Sequence, residues 1–365
     1  MTWRLHLRKG LLETKAYPVP APDGRIKLDA MENPYTWPEE MRKDWLAELA
    51  TTDVNRYPDA GGRNLKQQLR EVYHIEDSMG VLLGNGSDEL IQIVAAGFAK
   101  ADATVLSFAP SFVVYGIAAQ NFGLQLISVA LDGDFQIDLA ATLAAIDEHQ
   151  PAVIFIAYPN NPTGNLFQRL DIQSIIDVAP GVVVIDEAYQ PFANDSWLEG
   201  LAELPDKVLV MRTLSKFGLA GLRLGYLVGH TELIEQLEKI RMPYNVNTLS
   251  LVTAKFALQR HHVFDQQADD ILQERARMEQ ALSQFPVLER FASQANFFLV
   301  RAKGHARDLF DHLLDSGIRV KFLHGSAPAL QDCLRFTVGT REENDSLLAA
   351  LAGYQEKLAG SFDQR

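Results

Sequence analysis

The stretch "TLSKFGLAGLRLGY" (213–226) sets Lys216 between hydroxyl residues and a glycine-rich apolar run, with Arg223 seven positions later. An amine in apolar surroundings is costly unless chemistry requires it, and a neutral lysine condenses with carbonyl compounds. Three further stretches carry groups that would serve such a reaction. "VVVIDEAY" (182–189) ends an apolar run on Asp186, a carboxylate that needs a cation or a protonated nitrogen beside it. "GNGSDE" (84–89) joins a tight turn at Gly84 and Gly86 to Ser87 and Asp88, both helix-capping types. Free N–H groups at such a helix start cradle a phosphate. "YPNNPTG" (158–164) offers the side-chain amide of Asn161. Taken singly, "GNGSDE" also reads as a capped turn and "YPNNPTG" as a proline-rich one.

These groups act together only if the fold brings them to one place. Short apolar runs at 81–84, 104–108, 124–129, 152–157, 182–186, 208–213 and 225–229 alternate with helical patterns such as "DELIQIVAAGFAK" and "RLDIQSIIDVA". Most of the runs are continuous, as in strands covered on both faces, which predicts an α/β fold with a mostly parallel sheet flanked by helices. Ligands of such a sheet bind beyond the carboxyl ends of the strands, and all four stretches fall at such ends. A phosphate cradle, an amide, a carboxylate and a lysine at one edge are what a pyridoxal phosphate site needs. The lysine meets the aldehyde, the carboxylate keeps the pyridine nitrogen protonated, and hydroxyls, amides and Arg223 neutralise the phosphate.

Beyond residue 230 the pattern changes to long polar helices followed by "NFFLV" and "CLRFTV", which predicts a smaller α+β domain. The expected organisation is an N-terminal arm (1–50) contributing to that small domain, a large cofactor-binding domain (51–255) and the small domain (256–365). A formal net charge of −13 argues against a grip on nucleic acid or an anionic membrane. No apolar stretch approaches the roughly 20 residues of a membrane span. The N-terminus does not read as a signal peptide, and a single cysteine, Cys333, suits a reducing compartment, so the expected location is cytoplasmic. His261 and His262 are adjacent, no zinc-type spacing occurs, and no metal is expected.

The stretches "KLDAMENPY" (27–35), "RYPDAGG" (56–62), "GNGSDELI", "APSFVVY" (109–115), "PNNPTG", "DEAY", the "TLSK" and "GLR" pair and "LRFTVGTREEN" (334–344) follow one another in an order that resembles fold-type I pyridoxal-phosphate aminotransferases of class I/II. Within them the likeness is to the branch acting on histidinol phosphate. The resemblance implies exchange of an amino group between L-histidinol phosphate and 2-oxoglutarate in histidine biosynthesis. It implies that Lys216 bonds the cofactor and moves the substrate proton, and that Asp186 pairs with the pyridinium nitrogen. Asn161 and Tyr189 would bond the ring's phenolic oxygen, and Phe112 would stack on the ring. Gly86, Ser87, Asp88, Thr213, Ser215 and Arg223 would hold the phosphate. Tyr57 would reach the cofactor of a partner subunit, which makes a homodimer part of the site. Arg335 would grip the anionic end of the substrate, with Tyr17 and Tyr35 on the substrate side.

Three positions depart from the pattern: Met31 stands where asparagine is usual, the segment from Lys216 to Arg223 is one residue short, and Lys321 replaces a second substrate arginine. The short segment can still turn through Gly218 and Gly221. The competing readings are an aromatic aminotransferase or a phospho-amino-acid decarboxylase on the same scaffold.

Overall fold

The computed structural model describes residues 3–7, 11–12, 20–21 and 23–362. Tyr17 lies outside them. Strand β1 (Ile26–Leu28) comes first, and β2 (Met79–Gly84), β3 (Thr104–Ala109), β4 (Gln125–Ala130), β5 (Val153–Ala157), β6 (Val182–Asp186), β7 (Val208–Thr213) and β8 (Gly225–His230) follow. The last seven form one sheet in the order β2-β8-β7-β6-β5-β3-β4. β8 pairs antiparallel with both of its neighbours and the remaining pairs are parallel, so β8 alone runs against the rest. The carboxyl ends of β2, β3, β5, β6 and β7 therefore share one edge.

Alternation of apolar side chains fills both faces of this sheet, as its runs of β-branched residues require. Along β6, Val183 and Ile185 enter one hydrophobic cluster, while Val182 and Val184 enter the cluster on the opposite face. β4, at one edge of the sheet, departs from the continuous pattern, with Gln125, Leu126, Ser128 and Ala130 exposed, whereas β2 at the other edge is buried throughout.

A second sheet joins β1 to β9 (Glu289–Arg290), β10 (Phe297–Arg301), β11 (Ile318–Phe322) and β12 (Cys333–Thr337) in the order β1-β11-β12-β10-β9. Its cluster holds Leu28, Phe297, Val320 and Phe336. The described residues between 20 and 50 divide between the two cores. β1 pairs with β11, whereas Met41, Trp37 and Trp45 of the following segment pack into the large-sheet cluster beside Phe256 and Phe264. The helix His261–Leu282 crosses between the two cores, with Phe264 in one and Ile271, Met278 and Leu282 in the other.

The central strands β6 and β7 are braced by a buried ion pair. Arg212 donates from Nε to Glu187 Oε2 at 2.9 Å and from Nη2 to Ser196 Oγ at 2.8 Å, and it lies 5.3 Å from the Tyr73 ring. Removing one member strands the other in a dry interior. Arg212→Met should lower stability by about 3–5 kcal/mol, read as a fall in the urea midpoint. An unchanged midpoint would show that the pair does not brace the sheet.

Candidate active site

Each side chain at the shared edge is set by the end of its strand. After β2 the chain turns through Gly86, at φ +77°, into the helix Gly86–Gly97. Asn85 is the capping residue, so Ser87 and Asp88 lie inside the first turn and do not cap it. A side chain at Gly86 would place its Cβ 2.9 Å from Arg223 Nη2. Gly225 at the start of β8 meets the Gly86–Ser87 peptide so closely that a Cβ there would sit 2.8 Å from backbone atoms. Arg223 donates to Ser215 Oγ at 3.3 Å and pairs with Asp88 Oδ2 at 3.0 Å. Ser215 in turn receives the Thr213 hydroxyl at 3.0 Å. The segment from Lys216 to Arg223, though short, thus returns its arginine to the helix start. With its carboxylate on Arg223, Asp88 has only its amide N–H to offer an anion.

After β3 and β5 two loops are clamped together. Asn160, fully buried, accepts from Ser111 Oγ at 2.8 Å and donates to Pro110 O and Thr163 Oγ1. The first asparagine of "PNNPTG" is therefore a brace, and it leaves the second, Asn161, facing the cavity. Asn161 donates to Tyr189 Oη at 3.1 Å, and its Oδ1 accepts from Arg335 Nη1. Arg335 Nη2 reaches Asp29 O at 2.9 Å.

Asp186, at the end of β6, is buried and makes no ion pair among the described residues. Its Oδ2 accepts from Tyr115 Oη at 2.7 Å and its Oδ1 from Ala188 N at 3.1 Å. Burial pushes its carboxyl up to about 7 against the pull of these donors. Lys216 Nζ donates to Ala30 O at 2.9 Å and lies 5.8 Å from the centre of the Tyr189 ring. Burial, with Arg335 nearby, pushes this amine down to about 8.

A cavity of about 130 Å³ is lined by Ser87, Asp88 and Arg223, by Phe112, Asn161, Asp186 and Tyr189, and by Thr213, Ser215 and Lys216. A larger adjoining cavity of about 600 Å³ shares Met31, Phe112, Tyr115 and Asn161 and adds Arg335 and Lys321, which are cross-strand neighbours on β12 and β11. Two candidates are not brought here. Tyr57 is 80% exposed and stacks on Tyr244 at 4.5 Å. Tyr35 packs against the small-sheet core, away from both cavities, because its neighbours Asn33 and Met31 are tied down by Gln267 and Thr337.

The sequence reading gave Tyr115 no role. Its position three residues after Phe112, at the start of a helix, is the signal that could have found it. Met31 stands at φ +52°, a conformation that favours asparagine.

These groups fit pyridoxal phosphate: a buried carboxylate without a cation, a buried amine near neutrality, and a glycine turn under an arginine. A mostly parallel sheet covered by helices, with this set at its carboxyl edge, defines a fold-type I pyridoxal-phosphate enzyme. The aminotransferase class I and II family model matches residues 24–351. A histidinol-phosphate aminotransferase of Chromobacterium violaceum is 52% identical over 336 residues, covering 92% of this chain and 94% of that protein. Histidinol-phosphate aminotransferase 2 of Nitrosococcus oceani is 47% identical, covering 94% and 96%. The solved histidinol-phosphate aminotransferase of Sinorhizobium meliloti in complex with pyridoxal-5'-phosphate shares the fold, with a TM-score of 0.86 at 24% identity over 96% of this chain and 98% of that one. The chain belongs to the aminotransferase class I and II family, whose members work with pyridoxal phosphate.

The raised carboxyl of Asp186 has a consequence for the cofactor-free protein. Its ordinary value near 4 applies in the unfolded chain and about 7 in the folded one. Between these values the folded state binds more protons, so stability falls as pH rises through the window. Asp186→Asn should flatten that part of the apoprotein's urea-midpoint profile and raise stability at pH 8. Coincident profiles for the two proteins would refute this.

Proposed function

We propose that the chain transfers the amino group of L-histidinol phosphate to 2-oxoglutarate, giving imidazole acetol phosphate and glutamate, as a step of histidine biosynthesis in the cytoplasm. The names of the two curated relatives support the substrate. The observation that carries the reading is the pair of cations, Arg335 and Lys321, in the cavity that opens onto Lys216's own. An amine with a distal phosphate needs this separation of a reacting end from an anionic end. Among the described residues no helix is long and apolar enough to cross a membrane.

When bound, pyridoxal phosphate supplies an aldehyde and a ring that withdraws electrons from the carbon bearing the amine. Lys216 Nζ is the amine that meets this aldehyde. The same nitrogen would be the base that takes the substrate proton, and a value near 8 keeps part of it neutral at physiological pH. Asp186 would hold the proton on the ring nitrogen, while Asn161 and Tyr189 would hold the phenolic oxygen. Phe112 would cover the ring face. The amides of Gly86, Ser87 and Asp88 and the side chains of Thr213, Ser215 and Arg223 hold the phosphate. Arg335 and Lys321 take the substrate's phosphate in one half of the exchange and a carboxylate of the oxo acid in the other.

The reading includes a homodimer in which Tyr57 reaches the partner subunit's cofactor. Its support is a group of exposed apolar side chains: Val54, Tyr57, Met242 and Tyr244 on two loops tied together by the bond from Arg241 to Ala60 O, and Leu249 on the helix Thr248–Leu258 that follows.

Lys216→Ala should lower turnover by about 10⁴-fold or more and abolish the visible absorbance of the yellow protein; retention of both would refute its role. Mixing the yellow protein separately with histidinol phosphate, L-phenylalanine and O-phosphothreonine tests the substrate. Histidinol phosphate should bleach the visible band. Bleaching by phenylalanine alone would establish an aromatic aminotransferase, and carbon dioxide from phosphothreonine a decarboxylase.

A further inference from the structure

Tyr115 is the second residue of the helix Val114–Phe122 and is 1% exposed. Its ring lies parallel to Phe155 at 4.7 Å, tilted by only 2°, and meets Phe112 edge-on at 5.6 Å. These two contacts restrict the ring, and the hydroxyl at its end falls 2.7 Å from Asp186 Oδ2. The other carboxylate oxygen accepts from Ala188 N. One donor on each oxygen fixes the plane of the group.

We propose that Tyr115 is a positioning residue for the cofactor ring, its hydroxyl keeping the Asp186 carboxylate ionised and turned into the cavity. This rests on the reading that Asp186 faces the ring nitrogen. A hydroxyl that donates to a carboxylate favours the charged form, and it opposes what the rest of the surroundings do. Burial disfavours that charge, and so do Asp88 on the neighbouring helix and Glu187 next in the chain. Lys216 lines the same cavity from the segment after β7. Without the hydroxyl, Ala188 N is the one hydrogen-bond donor left to Asp186 among the described residues. The carboxylate would then hold a proton at neutral pH and give up its claim on the ring's. Tyr115 also touches Phe112, so one side chain sets both the residue proposed to cover the ring and the one proposed to hold its nitrogen.

Tyr115→Phe keeps the ring contacts and removes only the hydroxyl. Reconstituting it with pyridoxal phosphate labelled with ¹⁵N in the ring gives three readouts: cofactor dissociation constant, nitrogen protonation by NMR across pH, and melting temperature. Tyr354→Phe, a buried tyrosine in the small-sheet core, controls for loss of an interior hydroxyl. The expected result for Tyr115→Phe is cofactor binding weakened by about tenfold, a ring nitrogen that loses its proton at lower pH, and melting close to the control. If Asp186→Asn shifts the nitrogen titration and Tyr115→Phe does not, the inference is overturned and the reading of Asp186 stands. If neither variant shifts it, the reading of Asp186 falls and takes the inference with it.

Discussion

A carboxylate and an amine, Asp186 and Lys216, are buried in one cavity and do not neutralise each other: Asp186 accepts from Tyr115 and Ala188, while Lys216 donates to the carbonyl of Ala30. Burial raises one toward 7 and lowers the other toward 8, so near neutrality each charge is carried only in part and at a cost. The fold can bear this because the two groups sit at the ends of central strands buried on both faces. On the reverse face of the same strands, Glu187 and Arg212 form a pair that is paired and hydrogen-bonded throughout. A ligand that brings a protonated nitrogen to Asp186 and a carbonyl to Lys216 relieves both costs at once. The burial that weakens the empty protein therefore tightens its hold on the cofactor.

The large sheet was legible because its strands are buried on both faces and so written as unbroken apolar runs. Punctuation at their carboxyl ends marked the cavity for the same reason: a polar residue closing such a run has to meet a ligand or a partner. The direction of β8 was not legible, since "GYLVG" reads alike in either direction and only its pairing with β7 and β2 shows the reversal. Nor was the division of the described residues before 50, which depends on Trp37 finding Phe256 and Phe264, and Trp45 finding Thr253, across the chain. Tyr115 escaped notice because an aromatic residue opening an apolar helix looks like core, and here it is core on its ring and polar only at its tip.

In the proposed exchange, Arg335 and Lys321 bring the small sheet into the chemistry. They are cross-strand partners on β12 and β11, so their separation is fixed by sheet geometry rather than by a loop. Arg335 spends its fork on Asn161 and on the carbonyl of Asp29, and Asn161 continues to Tyr189. An anion that draws Arg335 toward itself therefore competes with Asn161 for the guanidinium, and the competition is felt where Asn161 and Tyr189 meet. Lys321 differs from an arginine in offering a point charge on a rotatable stem, with no planar fork to satisfy. Two anions of different shape, a phosphate and a carboxylate, must share this place in the proposed exchange. A rigid fork beside a movable charge meets both without rebuilding the site between halves.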